Sequence, residues 1–407
     1  MLHQEIIKDL KIFVDKIMKD EGISQYEYHI EGQTENGVNY GGEIVFFSVT
    51  PKTGEKKYDL VMKTSRRSED MRKALGDGVL DIRETHVYSK VFPALRQLLT
   101  ESNSEYKLEN VAKTYLINTE YQHETMIMGD LRKEGYRLWN KRKPMNLEHI
   151  KTVLSYYGKY HASTMALRVR KPGIFQELTR DMESIYKHYL NDDQVRDLFR
   201  HYTEDAIKVL KEFGLDNIVE KLKDLPGNTL ETLSQTVEVE DRVVITHGDC
   251  WINNLMFKYQ TPESLEPLGV CFLDFQLSAL GSPASDLSYY LYTSCDEDTI
   301  TNQFDELLRY YFESLASTLR NLSLEPDQIF TFQMLREHWK KYAVIGLIMS
   351  SVVIKIQLTN KEEAPSFSGG GNAPDLLTSL KIGDIEDNDV YKSRIVAVYK
   401  NYAKTCL

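Results

Sequence analysis

The hydrophobic pattern of this 407-residue chain changes near residue 131, and this change constrains the fold more than any other feature. The first 130 residues contain short apolar runs separated by turn residues, a pattern that predicts β-strands. The predicted strands cover residues 43–49, 57–65, 114–120 and 123–130. Later segments repeat apolar residues at helical spacing, as in residues 147–167. We therefore predict an α+β fold with two lobes, a small β-rich N-lobe over residues 1–130 and a larger, mainly α-helical C-lobe over residues 131–407.

Glu84 occupies an unusual position in the β-rich part. Residues 77–99 are predicted to form a helix that is broken near Pro93, and Glu84 lies on its apolar face. A buried carboxylate is costly unless a cation pairs with it. Lys63, which ends a predicted third strand, is the natural partner. Neighbouring cations on the same helix, or exposure to water, are the alternatives for Glu84 taken alone.

A polar loop separates two apolar runs in the second half of the chain. It reads THGDCWINN over residues 246–254, and Asp249 and Asn254 are five positions apart. Phosphoryl transfer needs a carboxylate that orients the attacking hydroxyl and accepts its proton, and oxygen ligands for magnesium. The kinase catalytic loop H-R-D-x-x-x-x-N provides both at this spacing. An Asx-turn that caps the loop is the structural alternative, and it is less favoured when Lys63 and Glu84 are considered as well.

A second carboxylate is predicted to reach this loop. Residues 255–275 form a predicted hairpin whose exit carries Asp274, so folding the hairpin back brings Asp274 near Asn254. This exit corresponds to the position of the D-F-G motif in kinases, and the chain has Asp274, Phe275 and Gln276 there. Because glutamine lacks the backbone freedom of glycine, we predict no large swing of Asp274 into and out of the site.

Four other polar or aromatic residues near these motifs are expected to be structural. His247 should pack the backbone of the catalytic loop, and Asp286 should brace that loop through backbone N–H groups. His161 lies on the apolar face of a predicted helix and should be a core histidine with satisfied hydrogen bonds. Trp251 is expected to pack against the core or to border the acceptor pocket.

Composition excludes several other classes of protein. The net charge of −11 disfavours nucleic-acid binding, which needs a basic face. The four cysteines contain no C-x-x-C pair, which disfavours a zinc site or a disulfide scaffold and fits a reducing, cytoplasmic environment. The first 20 residues form a predicted amphipathic helix rather than a signal peptide. No apolar run approaches the roughly 18 residues of a membrane span, so we predict no membrane partner.

These motifs resemble those of one known family. The segment HGDCWINNLMF (residues 247–257) matches every fixed position of the pattern H-G-D-x-W-x-x-N-x-x-F of the ecdysteroid kinase-like family, within the aminoglycoside and choline kinase type of phosphotransferase. Two further segments resemble signature motifs of this family, LDFQ (residues 273–276) and DLSYYLYTS (residues 286–294). GVNYGG (residues 37–42) resembles its phosphate loop, with Gly42 in place of a serine. The resemblance implies a bilobal protein-kinase-like fold and phosphate transfer from ATP to an alcohol.

The resemblance also implies roles for individual residues. Asp249 would be the catalytic base, Asn254 and Asp274 would hold Mg²⁺, and Lys63 with Glu84 would order the phosphates of ATP. The remaining residues of the implied ATP site are Asn39, Tyr40, Gly41 and Gly42 in the phosphate loop, and Met128, Gly129 and Leu131 in the connector that borders adenine. The acceptor would be an ecdysteroid-like or related apolar molecule, or a xenobiotic alcohol in detoxification.

Three alternatives remain open from the sequence. A choline- or aminoglycoside-type kinase would need an acceptor pocket rich in carboxylates. A nucleotide-binding pseudokinase that acts as a scaffold is disfavoured, because Lys63, Asp249 and Asp274 are intact. A protein kinase is disfavoured as well, because no A-P-E segment follows residue 276 and residues 278–287 are too short for an activation loop. The sequence indicates neither the identity of the acceptor nor the oligomeric state.

Overall fold

The computed structural model describes residues 4–33, 42–52, 54, 56–65, 69, 72, 78–235, 239–241, 243–261, 263–360, 381–383 and 385–407. Its N-terminal part is an antiparallel β-sheet, and most of the remainder is α-helical. The predicted α+β class and the bilobal protein-kinase-like architecture are therefore confirmed.

The N-terminal sheet has five strands and is covered by helix α1 (Gln4–Asp20). The strands are β1 (Tyr26–Gln33), β2 (Gly42–Pro51), β3 (Tyr58–Ser65), β4 (Thr114–Asn118) and β5 (Thr125–Gly129), in the order β1-β2-β3-β5-β4. Helix α1 buries Ile6, Leu10, Val14 and Ile17 in the same hydrophobic cluster as the core residues of the sheet. Burial of each such side chain contributes roughly 1.5–3 kcal/mol, so this helix stabilises the sheet it covers.

Strands β2 to β5 correspond to the four predicted strands, whereas β1 was not predicted. The sequence of β1, YEYHIEGQ, alternates half-buried with exposed residues. It lies at the edge of the sheet and pairs with β2 alone among the described strands. Because only one face of this edge strand packs against the protein, its apolar residues are too few for a clear strand signal.

The helix predicted over residues 77–99 is present but is not broken. It consists of α2 (Val79–His86), one π-helical turn (Val87–Val91) and α3 (Phe92–Glu101). Pro93 lies two residues after the π-helical turn, and this local change of the hydrogen-bond pattern accommodates the N–H group that proline lacks. The apolar residues from Val87 onward belong to the large hydrophobic core of the C-terminal part. The helix that carries Glu84 is thus packed against the C-lobe.

The C-terminal part is built mainly from helices. They are α4 (Leu147–Arg170), α5 (Pro172–Thr179), α6 (Asp193–Glu212), α7 (Asp216–Lys221), α8 (Thr229–Ser234), α9 (Pro283–Ser294), α10 (Glu297–Asn302), α11 (Phe304–Asn321), α12 (Pro326–Ile329), α13 (Phe332–Leu358) and α14 (Asn388–Cys406). The main packed pairs are α9 with α13, α4 with α11, and α13 with α14. Gly346 allows the first of these close contacts, because a Cβ there would strike the backbone of Ser288.

Short strands in the C-terminal part flank the loops that contain the candidate catalytic residues. Strands β6 (Tyr136–Leu138), β8 (Leu255–Lys258) and β9 (Gly269–Phe272) form one sheet, and β7 (Val244–Ile245) pairs with β10 (Leu280–Gly281). Strands β8 and β9 are antiparallel, with Leu255 opposite Phe272. The predicted hairpin is therefore present, and it brings residue 274 back beside the loop that precedes β8.

Helix α13 is long and apolar enough, by length and composition, to cross a membrane. The sequence led us to expect no such segment. Within its most apolar window, 72% is buried inside the protein, where it packs against α9 and α14. This burial is typical of a central core helix.

Candidate active site

Lys63 connects the sheet to two distant carboxylates. Its Nζ atom lies 2.7 Å from Glu84 Oε2 on α2 and 2.7 Å from Asp274 Oδ1 after β9. Glu84 is only 3% exposed, so the predicted need for a cation is met by the predicted partner. Burial opposes the charge of Lys63, but the two carboxylates outweigh this effect and raise its pKa. Lys63 therefore remains an ammonium group inside the protein.

Helix α2 is tied to the C-lobe by Arg83, which neighbours Glu84. The guanidinium group of Arg83 donates to three backbone carbonyls, those of Asp181 (2.9 Å), Glu183 (3.1 Å) and Ser278. These carbonyls lie in two segments of the C-terminal part. Arg83 thus fixes the helix that carries Glu84, and through it the Lys63–Glu84 pair.

Residues 247–254, which we call the catalytic loop, follow β7 and present the carboxylate of Asp249. Its Oδ1 atom accepts a hydrogen bond from the Tyr289 hydroxyl (2.7 Å), and its Oδ2 atom accepts one from Asn254 Nδ2 (3.0 Å). Burial raises the pKa of Asp249 to about 7; the charge of Asp274 adds to this effect, and the side-chain hydrogen bonds oppose it. A carboxyl group with such a pKa can accept a proton near neutral pH.

Asn254 is oriented by the same loop. Its Nδ2 group donates to the Asp249 carbonyl (2.8 Å) as well as to the Asp249 carboxylate. Because the amide nitrogen makes both bonds, the carbonyl oxygen of the side chain is the atom left to bind a cation. The predicted proximity of Asn254 and Asp274 is supported by the hydrogen bond from the Leu273 N–H to the Asn254 backbone carbonyl (2.9 Å).

Asp286 braces the catalytic loop, as predicted. Its two oxygens accept from the backbone N–H groups of His247 (2.7 Å) and Gly248 (2.8 Å). His161 Nε2 lies 3.1 Å from the same carboxylate, and its Nδ1 lies 2.9 Å from the Tyr311 hydroxyl. His161 is completely buried, so its predicted role as a core histidine with satisfied hydrogen bonds is confirmed.

His247 and Gly248 fix the backbone of the loop. His247 Nε2 donates to the Leu273 carbonyl (2.8 Å), and its Nδ1 accepts from the Asp249 N–H (3.2 Å). Burial lowers the pKa of His247, so the ring is neutral and structural, as predicted. Gly248 has φ of +85° and contacts the backbone of Leu277, where a Cβ would collide with the carbonyl oxygen. Only glycine fits this position without strain.

Asp274 adopts a strained backbone conformation, with φ of 65° and ψ of 68°. A residue with a side chain seldom adopts this left-handed conformation unless its surroundings impose it. The next residue, Phe275, is buried among the rings of Tyr88, Phe92, Tyr160 and His247. This aromatic packing holds the strained turn and directs the Asp274 carboxylate toward Lys63.

A cavity of about 280 Å³ lies between the sheet and the catalytic loop. Its apolar lining includes Ile44, Phe46, Val61, Tyr88, Ala112, Met128, Leu131, Leu138, Met256 and Leu273. Its polar end contains Lys63, Glu84, Asp249, Asn253, Asn254, Asp274 and Gln276, and Asp130 and Arg132 add charged groups at the connector. Trp251 also borders this cavity. One end therefore suits a flat apolar ring and the other suits a charged group near a cation.

The three predicted connector residues, Met128, Gly129 and Leu131, all line the cavity. The Gly129 N–H already donates to the Lys113 carbonyl (3.0 Å), so Gly129 can offer only its own carbonyl. The N–H of Leu131 begins a 3₁₀ helix (Leu131–Glu134), where the first N–H groups have no acceptor within the helix. The connector thus offers one hydrogen-bond acceptor, the Gly129 carbonyl, and one donor, the Leu131 N–H.

The predicted phosphate loop is only partly described. Asn39, Tyr40 and Gly41 lie outside the described residues. Gly42 begins β2, pairs with Ser65, and does not appear among the described residues that line the cavity. A Cβ at Gly42 would collide with the Thr64 carbonyl oxygen. A side chain at position 42 would therefore require β2 and β3 to move apart locally.

The chemistry of the polar end fits magnesium rather than a transition metal. The described part of the chain contains no group of three or more His, Cys, Asp or Glu side chains that could hold a metal ion. Asn254 and Asp274 provide one carbonyl oxygen and one carboxylate. Magnesium is held in this way in ATP-dependent enzymes, with few protein oxygens together with water and substrate phosphates.

A second, smaller cavity of about 70 Å³ lies on the other side of the catalytic loop. Its apolar lining includes Ile185, Leu233, Leu277, Leu280 and Ile345, and Tyr186 and Tyr289 also border it. Sequence reasoning did not identify this cavity or the contact between Tyr289 and Asp249. The motif DLSYYLYTS contains Tyr289, but it does not reveal which of its tyrosines faces the loop.

The arrangement of a lysine, a helix glutamate, a loop aspartate and a strand-end aspartate around one cavity is common to kinase-like phosphotransferases. Comparison with known families gives a match to the ecdysteroid kinase-like family over residues 36–324, well over half of the chain. No curated protein matches the chain. The matched region includes β2 to β10, the Lys63–Glu84 pair and the catalytic loop. The chain therefore belongs to the ecdysteroid kinase-like family, a group of kinase-like phosphotransferases.

Proposed function

We propose that this protein is an ATP-dependent small-molecule kinase that transfers the γ-phosphate to a hydroxyl group. One observation carries this proposal: Lys63, Asp274 and Asp249 converge on a single cavity that also has an apolar end. The apolar end would take adenine, with the Gly129 carbonyl and the Leu131 N–H as its hydrogen-bond partners. The division into lobes at residues 130 and 131 would place this cavity between them.

The polar groups would share the work of phosphoryl transfer. Asp249 would accept the proton of the acceptor hydroxyl while the hydroxyl oxygen forms its bond to the γ-phosphorus. The bond between the γ-phosphorus and the bridging oxygen breaks at the same time, and ADP leaves. Lys63 would neutralise phosphate charge, and Glu84 would hold Lys63 in position. Magnesium, when held by Asn254 and Asp274, supplies further charge neutralisation at the phosphates.

The small cavity favours a neutral acceptor. A choline- or aminoglycoside-type acceptor is cationic and would need carboxylates in its pocket. Among the described residues of this cavity, Asp286 is the carboxylate, and both of its oxygens already accept backbone N–H groups. The apolar walls suit an ecdysteroid-like or xenobiotic alcohol better. At about 70 Å³ the cavity would hold an apolar part of the acceptor, and the hydroxyl would have to reach Asp249, which borders the large cavity.

A role as a catalytically inactive scaffold is the second candidate. Such proteins often lack one of the charged groups that bind magnesium and phosphate. Here Lys63, Asp249 and Asp274 are all present and lie at one cavity, which favours catalysis. A role in detoxification, and a cytoplasmic location, are parts of the same proposal. The cytoplasmic location agrees with the three buried free cysteines, Cys250, Cys271 and Cys295.

Phosphate transfer from labelled ATP tests the proposal directly. The purified chain would be incubated with magnesium, ATP and three groups of acceptors, namely ecdysteroid-like alcohols, xenobiotic alcohols and the cations choline and an aminoglycoside. We expect labelled product from a neutral alcohol, and a fall of roughly 10²–10⁴-fold in the Asp249→Asn variant. Equal transfer by that variant would refute the role of Asp249. Nucleotide binding without transfer to any acceptor would favour the scaffold.

A further inference from the structure

Tyr289 stands between the two cavities. Its hydroxyl donates to Asp249 Oδ1 at 2.7 Å, and its side chain borders the small cavity, whereas Asp249 borders the large one. We propose that Tyr289 is a positioning residue that orients the Asp249 carboxylate toward the acceptor hydroxyl. This inference rests on the proposed function, because it assigns Tyr289 a part in that same reaction.

The hydrogen bonds of Asp249 show how the orientation would be set. The carboxylate of an aspartate rotates easily about its last bond. Here Tyr289 holds Oδ1 and Asn254 holds Oδ2 (3.0 Å), so both oxygens have an anchor. Each carboxylate oxygen can accept two hydrogen bonds. These two anchors fix the plane of the carboxylate, and Gln276 interacts with it as well. Three donors still leave one acceptor site of the carboxylate for the acceptor hydroxyl.

The hydrogen bond from Tyr289 to Asp249 originates on a rigid element, helix α9. Asp286 and Tyr289 are three residues apart, so they lie on the same face of the helix. Asp286 holds the backbone of the catalytic loop at His247 and Gly248, and Tyr289 holds its carboxylate. The helix packs against α13, and all of its residues except Ser285 are buried, Tyr289 among them. A single helix thus positions both the backbone and the reactive side chain of the loop.

The protonation state of Tyr289 suits a positioning role. Burial, with the negative charge of Asp249, raises its pKa well above the usual value. The phenol therefore stays protonated and acts as a donor. A donor stabilises the ionised carboxylate, and its hydrogen bond opposes the burial that raises the pKa of Asp249. The other titratable groups that interact with this carboxylate are Asp274, Tyr186 and Cys250.

The Tyr289→Phe variant of the full chain tests this inference. It removes one hydroxyl and keeps the ring that lines the cavity. We expect kcat to fall roughly 10- to 100-fold and the KM for ATP to stay unchanged, because Tyr289 borders the small cavity rather than the nucleotide cavity.

The Tyr292→Phe variant is the matched control. Tyr292 lies on the same helix and is also buried, but its hydroxyl donates to Asn401 (3.0 Å). Its loss should lower the thermal stability and leave kcat unchanged. A kcat that falls equally in both variants, or in neither, would overturn the inference.

Crystal structures of the wild-type chain and the two variants separate this inference from the proposed function, because they need no substrate. We expect the plane of the Asp249 carboxylate to turn in Tyr289→Phe and to stay in place in Tyr292→Phe. An unchanged carboxylate plane in Tyr289→Phe overturns the role of Tyr289. Absence of phosphate transfer by the wild-type chain overturns the proposed function instead, and the crystal structures still test the orientation of Asp249.

Discussion

Lys63 Nζ lies 2.7 Å from Asp274 Oδ1, although 211 positions separate the two residues in the sequence. This contact joins β3 of the sheet to the turn after β9. It holds an ammonium group and a carboxylate, which would meet the phosphates and magnesium, in fixed positions. Such preorganisation lowers the cost of ordering side chains when a ligand binds.

Removal of the lysine should abolish most of the activity. In Lys63→Met, Glu84 and Asp274 lose their shared cation, and the phosphates of ATP lose a positive partner. We expect kcat/KM to fall roughly 10²–10³-fold, with weaker binding of ATP in calorimetry. Lys52→Met is the control, since Lys52 forms an exposed pair with Glu27. ATP binding of wild-type strength in Lys63→Met would contradict the assigned role.

The pH dependence of the reaction should report the ionisation of Asp249. Burial, followed by the charge of Asp274, raises its pKa to about 7. A base works only when deprotonated, so kcat/KM should rise through about pH 7 and then level off. A bound magnesium ion at Asp274 would remove the repulsion, so the acid limb of kcat should lie at lower pH than that of kcat/KM. A profile that is flat between about pH 5.5 and 8.5 would exclude Asp249 as the base.

The contacts of Arg83 should matter for both stability and ATP binding. In Arg83→Met, the carbonyls of Asp181, Glu183 and Ser278 lose their donor. We expect the free energy of unfolding to fall by roughly 2–3 kcal/mol and the KM for ATP to rise roughly tenfold as Glu84 shifts. Urea denaturation and initial rates measure these effects. Arg168→Met, at an exposed position of α4, should change neither. A normal KM in Arg83→Met would show that α2 is held by packing alone.

Substitution of Gly248 tests whether backbone strain or a steric collision with a neighbouring carbonyl is the greater cost in the catalytic loop. Gly248→Ala introduces a Cβ at a positive φ and against the Leu277 carbonyl. Gly214→Ala introduces one at φ of +67°, with no atom within 4 Å. Gly214→Ala should lower the free energy of unfolding by about 1–2 kcal/mol. Gly248→Ala should lower it by roughly 3 kcal/mol or more and should also abolish activity. Equal losses of stability would indicate that the loop can shift away from Leu277.

The sequence predicted the contacts that follow from a buried charge or from a local hairpin. Glu84 lies in an apolar stripe, where a carboxylate needs a cation, and this requirement pointed to Lys63. The hairpin that ends at Asp274 pointed back to the loop that contains Asn254. Both arguments depend on local pattern and on charge, which a single sequence contains.

Other features depend on tertiary packing and could not be predicted in this way. The motif DLSYYLYTS places Tyr289, Tyr290 and Tyr292 on one apolar helix, and all three are buried. Only the packing of α9 beneath the catalytic loop distinguishes the tyrosine that meets Asp249. Likewise, the π-helical turn before Pro93 arises where a long helix passes through the core, and the helical pattern of the residues continues across it.

The burial of Phe275 has a consequence for inhibitors. Four aromatic rings surround this side chain, and Gln276 follows it where a flexible glycine stands in protein kinases. Inversion of the aspartate–phenylalanine turn would break these ring contacts and is therefore disfavoured. Compounds that need the back pocket opened by such an inversion should bind poorly, whereas compounds that occupy the proposed adenine end of the cavity do not need it.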